Sequence, residues 1–112
     1  GDFNIAPQDI DVHDPIEWKG KVLCSDEERE WLYKIEKIGF VDSFRLFNQD
    51  EGLFSWWDYR MASYRRRMGM RIDLILISEA LRKNCIKSYI DETPRALEKP
   101  SDHTPVLIEL RL

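Results

Sequence analysis

Apolar positions recur at helical spacing in one clear stretch. Trp31 and Leu32 are followed at three to four residues by Ile35 and then by Ile38, with mostly polar residues between. Ser25 and Glu28 have the spacing of a capping box, Asp26 and Glu27 suit the positive end of a helix, and Gly39 suits the position just past its end. These signals predict a helix from Asp26 to Ile38. Arg71–Ile77 is an almost continuous apolar run, the pattern of a strand buried on both faces. Val106, Ile108, Leu110 and Leu112 alternate with Glu109 and Arg111, which predicts a half-buried strand over Val106–Leu112. Phe54–Trp57 is short and β-prone, and Cys85–Ile90 alternates weakly enough to be a strand. Val41–Phe47 and Ser78–Lys83 read as helical turns. Asp2–Asp14 and Glu92–Pro100 read as loops, and Asp58–Gly69 is polar, basic and flexible in character. The mixture predicts an α/β or α+β sandwich, not a bundle or a barrel.

Composition narrows this picture. A chain of 112 residues is one small domain or part of a larger one. It opens on Gly1 without a Met or a signal peptide, as an excised piece of a longer protein does. No stretch approaches the roughly 20 apolar residues of a membrane helix, so no membrane partner is expected. Cys24 and Cys85 lack CxxC or His-paired spacing, which speaks against zinc and for two reduced, buried thiols in a cytoplasmic protein. The net charge of −4 does not favour a pure DNA-binding module. Positive charge is instead local. Arg60, Arg65, Arg66, Arg67 and Arg71 fall between Tyr59 and Ile72, where no acid occurs.

Four segments carry possible chemistry. In Gly1-Asp2-Phe3-Asn4, Asp2 offers an anionic oxygen to a metal or water and Asn4 an amide to a phosphate oxygen, although both residue types also suit a plain turn. In Arg71–Leu76, Asp73 is a carboxylate inside an apolar strand, costly there unless it is paired or functional. Ser101-Asp102-His103-Thr104-Pro105 joins a carboxylate to an imidazole, a set fit for metal binding, proton transfer or phosphate contact, and also for a surface loop. On an extended backbone neighbouring side chains diverge, so Asp73 is a better partner for His103 than Asp102 is. In Phe54–Arg60, alternation sends Trp56 and Trp57 to opposite faces. Trp57 then suits the core and Trp56 the wall of a site.

Taken together and in this order, GDFNIAP, DVHDP, FSWWDYR, RIDLIL and PSDHTPV resemble the endonuclease/exonuclease/phosphatase superfamily, most closely its bacterial exonuclease III branch, over the whole chain. The resemblance implies a four-layer α/β sandwich more than twice this length. Residues 1–112 would be its carboxyl-terminal half, one mixed sheet with flanking helices. It implies a DNA-repair phosphodiesterase with abasic-site endonuclease and 3′-to-5′ exonuclease activity, a Mg²⁺ or Mn²⁺ cofactor, and double-stranded DNA with abasic sites or 3′ ends as partner. By the same resemblance the catalytic residues are Asp2, Asn4, Asp73 and His103. Asp2 would activate or orient water, Asn4 would bind the phosphate, and Asp73 would orient His103 against it. Asp2, Asn4 and Asp102 would serve the metal. Trp56, Met70 and Ile72 would line a pocket for the extruded sugar, with Arg60, Arg65, Arg66 and Arg67 on the loop that meets DNA. A large apolar residue is frequent in the family where Met70 stands. The principal metal-binding Glu, a further Asn and a catalytic Tyr would lie in the amino-terminal half, so the isolated chain is expected to be inactive and to self-associate, while its parent is a monomer.

The chemistry fits these residue types. A phosphodiester repels hydroxide, and its leaving oxygen needs charge stabilisation, which a hard cation on carboxylates supplies. Asn and His donors face the charge that builds in the transition state. Two other readings stand: a DNase I-like nuclease or phosphoinositide phosphatase of the same superfamily, and a fragment with no catalysis of its own.

Overall fold

The computed structural model describes residues 1–97 and 100–112. A short helix α1, Pro15–Trp18, starts where the Asp14 carboxylate accepts the Glu17 backbone N–H at 3.1 Å. The main helix α2 spans Asp26–Lys37. Ser25 starts it as expected: its hydroxyl accepts from the Glu28 N–H at 3.2 Å, and the Glu28 carboxylate accepts back from the Ser25 N–H at 3.3 Å. Ile38 is its capping residue, and Gly39 leaves it at φ +125°, a backbone conformation that suits glycine. Of the apolar stripe only Leu32 is buried. Trp31 is 67% and Ile38 78% exposed, so the periodicity identifies the helix while most of its stripe faces outward.

The strands form three antiparallel two-stranded ladders among the described residues. β1 (Phe40–Asp42) pairs with β4 (Leu76–Ser78), β2 (Trp56–Trp57) with β3 (Gly69–Met70), and β5 (Cys85–Ile90) with β6 (Val106–Leu110). The expected mixture of helix and strand is present, but as three separate ladders with isolated bridges to neighbouring segments, not as one mixed sheet. Asp2 bridges to Asp73, Val12 to Met70 and Trp56 to His103. β5 and β6 follow expectation, and Ser78–Lys83 proves to be a 3-10 turn at Glu79–Asn84. Val41–Phe47 does not form a single helical turn: its start belongs to β1, and only Phe44–Leu46 turns. The expected loop Glu92–Pro100 lies partly outside the described residues, and its described part contains a 3-10 turn at Thr93–Ala96.

The expected strand Arg71–Ile77 also changes. Only its end joins a ladder, as β4. Ile72 and Asp73 donate their backbone N–H groups to the Ser55 hydroxyl, at 3.1 and 3.0 Å, so a side chain replaces the neighbouring strand there. On the other side Phe3 donates to the Ile72 carbonyl at 3.1 Å and Leu74 to the Gly1 carbonyl at 2.9 Å. Ile72, Leu74 and Ile77 are buried as expected, while Ile75 and Leu76 are only half-buried.

Arg71 does not belong to the basic loop. It is 1% exposed, with Nε 2.7 Å from Asp11 Oδ1 and Nη2 2.5 Å from Asp42 Oδ2. Arg45 closes the group against Asp11. One buried cluster thus fastens the turn at Asp9–Asp11, β1 and the segment entering Asp73. Ala6, Val12, Cys24, Met70 and Ile72 pack as one apolar cluster and Ile5, Leu32 and Leu74 as another. Cys24 and Cys85 are free and buried, and burial pushes the Cys24 thiol up. No described helix is long and apolar enough to cross a membrane.

Two expectations follow from packing. A Cβ at Gly69 would sit 2.5 Å from the Trp57 ring and 2.7 Å from the Trp56 carbonyl. Gly69→Ala is expected to cost about 1–3 kcal/mol through overpacking, and an unchanged urea midpoint would contradict the close approach. Trp31, Ile38, Ile16 and Val22 are exposed apolar side chains. The isolated 112-residue chain is expected to self-associate by covering such surface. Sedimentation tests this, and a clean monomer at about 50 µM, in the range of weak association, would contradict it.

Candidate active site

The β2–β3 ladder and its bridges bring the chemical segments to one place. Trp57 donates its N–H to the Asp102 carbonyl at 3.0 Å, and Thr104 donates to the Ser55 carbonyl at 2.8 Å, which lays residues 102–104 along residues 55–57. The Asp2–Asp73 bridge sets the start of the chain along the far side of the Asp73 segment. Asn4 sits at φ +52°, a left-handed conformation Asn tolerates, and its N–H donates to Asp2 Oδ1 at 2.9 Å.

At the centre, His103 Nδ1 lies 2.8 Å from Asp73 Oδ2. An ionised carboxylate only accepts, so Nδ1 carries the proton of that bond. Nε2 is thereby turned toward two further carboxylates, with Asp2 Oδ2 at 3.8 Å and Asp102 Oδ1 at 4.0 Å. Burial opposes charge on this imidazole. The hydrogen bond to Asp73 and the charges of Asp73, Asp2 and Asp102 outweigh it, and the His103 pKa is raised above its ordinary value. Asp2, Asp73 and His103 each offer a ligand atom, all within 4.8 Å of one another. Asp102 borders this group, and its other oxygen accepts the Trp56 indole N–H at 3.1 Å. Asn4 touches the group through the Asp2 carboxylate.

Beside this centre is a cleft of about 340 Å³ walled by Trp18, Trp56, Met68, His13, Asp58 and Arg60. Trp56 stands on it half-buried, while Trp57 is fully buried on the opposite side of the strand. Met70 and Ile72 lie in the core against which Trp56 packs, 0% and 2% exposed, and offer no surface to the cleft. Arg60 is held by Asp58 at 2.8 Å, and its guanidinium keeps the Asp58 carboxyl below the usual range. Arg65, Arg66 and Arg67 are exposed on the turn that follows. Arg67 pairs with Glu92 at 2.9 Å and lies over the Trp57 and Tyr64 rings, so part of the run is engaged by the protein itself. Sequence reasoning does not reach Trp18, His13 and Met68 as cleft residues. DVHDP contains His13 and stands out as a motif, but no periodicity marks which side chains of a turn face a cleft.

A model of the Endonuclease/Exonuclease/phosphatase family matches residues 1–103. The chain belongs to this family. Among its relatives, exodeoxyribonuclease III of Haemophilus influenzae is 39% identical over 99% of the chain and 44% of its own length. The solved 3′ phosphatase NExo from Neisseria, bound to a product DNA hairpin, superposes with a TM-score of 0.97 at 42% identity, over 100% of the chain and 44% of that structure. An AP endonuclease from Archaeoglobus fulgidus superposes with a TM-score of 0.92 at 37% identity, again over 100% of the chain and 44% of that structure. The chain thus spans less than half the length of the family members it matches. Its α/β architecture is that of these nucleases, as the motifs imply.

Proposed function

We propose that the chain is the carboxyl-terminal part of a divalent-metal-dependent DNA-repair phosphodiesterase that acts at abasic sites and 3′ ends. The observation that carries this reading is the Asp73–His103 hydrogen bond of 2.8 Å, which turns Nε2 toward the gap between Asp2 and Asp102. A phosphate oxygen entering that gap would meet His103 Nε2, a donor when the ring is protonated, and the Asn4 amide would supply a second donor. Asp2, half-exposed and fixed by the Asn4 N–H, is placed to orient the attacking water.

The oxygen-rich group fits a hard cation. Asp2 and Asp102, with Asn4 beside them, would hold Mg²⁺ or Mn²⁺. When bound, the ion supplies positive charge against the phosphate and the leaving oxygen. The relatives' length supports the remaining ligands lying in a further segment of the protein. The isolated 112-residue chain is then expected to show no incision while the full-length protein incises an abasic duplex. Near-enzymatic incision by the chain alone would contradict this division. The free cysteines and the bacterial relatives support a cytoplasmic location.

DNA would meet the Trp56 wall and the arginine turn through different physics. Replacing Arg65, Arg66 and Arg67 together by Ala is expected to flatten the log–log salt dependence of binding, by about 0.9 for each phosphate that is no longer neutralised. Trp56→Ala is expected to keep that slope and weaken preference for the abasic site. Binding titrations across salt concentrations decide it, and equal slopes in wild type and the triple variant would contradict the arginine assignment.

A further inference from the structure

Ser55 is fully buried, and its hydroxyl oxygen, carbonyl and N–H bond to the segments that lead to Asp73 and His103. Its hydroxyl oxygen accepts the N–H groups of Ile72 at 3.1 Å and Asp73 at 3.0 Å. Its carbonyl accepts the Thr104 N–H at 2.8 Å, one residue from His103. Its own N–H donates to the Met70 carbonyl at 3.0 Å. The Asp73 segment lies outside any ladder at this point, so the hydroxyl stands where a strand carbonyl would otherwise be. No ladder connects the Asp73 and His103 segments to each other. They are joined through residues 55–57, and Ser55 is bonded to both.

We infer that Ser55 is a positioning residue: its hydroxyl and carbonyl set the Asp73 and His103 segments in one register, so that carboxylate and imidazole meet at 2.8 Å. The inference rests on the proposed function for its kinetic consequence, but not for its geometry. Without the hydroxyl, the buried N–H of Ile72 and the half-buried N–H of Asp73 lose their partner. The backbone at Asp73 then shifts to find another, and the carboxylate moves off Nδ1. Displacements of about 1 Å at a reacting group cost on the order of 100-fold in rate.

The test uses the full-length protein and three substitutions at one position. Ser55→Ala removes the acceptor. Ser55→Cys keeps the size with a much weaker acceptor and serves if the Ala variant does not fold. Ser55→Thr keeps the hydroxyl and adds a methyl, which lowers stability in a packed site but preserves the bonds. Single-turnover incision of an abasic duplex at saturating enzyme should fall about 10- to 100-fold in Ala and Cys, with DNA affinity unchanged, and recover in Thr. In a His103→Asn background the Ser55→Cys loss should shrink to less than about threefold, because the pair it positions is already broken. Rates that follow thermal stability across the three variants, or an equal loss in the His103→Asn background, would overturn the inference in favour of a general structural role. A crystal structure of Ser55→Cys supplies the readout that needs no activity. A lengthened Asp73–His103 distance supports the inference, and an unchanged one overturns it. A wild-type protein that incises nothing would instead overturn the proposed function and leave this distance test standing.

Discussion

Asp73→Asn and His103→Asn, made in the full-length protein, are each expected to slow the chemical step by about 10²- to 10⁴-fold while DNA binding is nearly unchanged. The 2.8 Å bond fixes the proton on Nδ1 and supports the charge on the ring. Asn at 73 keeps the shape of the carboxylate and removes its charge. Asn at 103 removes the donor aimed at the phosphate. The pair works as a unit, so the double variant should be little worse than either single variant. Single-turnover rates at saturating enzyme check this. Losses that multiply would show that the two residues act independently, and the hydrogen bond would then be a structural contact.

Arg71→Met is expected to destabilise the fold by about 3–5 kcal/mol, because removing one member of a buried ion pair leaves uncompensated charge. Here Asp42 would lose its guanidinium partner, and Asp11 would keep only Arg45. Asp11 is 0% and Asp42 9% exposed, so solvent offers little in place of the guanidinium. The loss should appear in urea denaturation as a lower midpoint with an unchanged slope. The same cluster holds β1 against the segment leading to Asp73, so activity should fall with stability. A cost below about 1 kcal/mol, the size of an exposed pair, would mean that Arg71 is not desolvated as the structure shows.

Local signals carry much of the fold. The capping box places the start of α2 because Ser25 and Glu28 satisfy each other's backbone within one turn, independent of the rest of the chain. β5 and β6 are legible from alternation because one face of each is half-buried. Arg71–Ile77 is not, since its apolar run speaks of burial and not of pairing. The bonding partner at Asp73 is the Ser55 hydroxyl, which no period in the sequence announces. The stripe Trp31, Ile35 and Ile38 shows the opposite limit: it identifies a helix without saying what covers it. The site divides in the same way. Opposed Trp56 and Trp57 follow from strand alternation, and preference for Asp73 over Asp102 as partner of His103 follows from divergent neighbours on an extended backbone. Charge counting groups Arg71 with the basic loop because it takes no account of Asp11 and Asp42, 60 and 29 residues away, which draw it into the core. The cleft residues Trp18, His13 and Met68 depend on turn geometry that only the folded chain displays.

The most direct test of the central claim is incision of a duplex carrying one abasic site by the full-length protein, run beside a phosphoinositide substrate, in Mg²⁺ and then in excess EDTA. The account predicts incision of the abasic duplex in Mg²⁺, none in EDTA, and no phosphate release from the lipid headgroup. Phosphate release from the phosphoinositide with the abasic duplex left intact would contradict it.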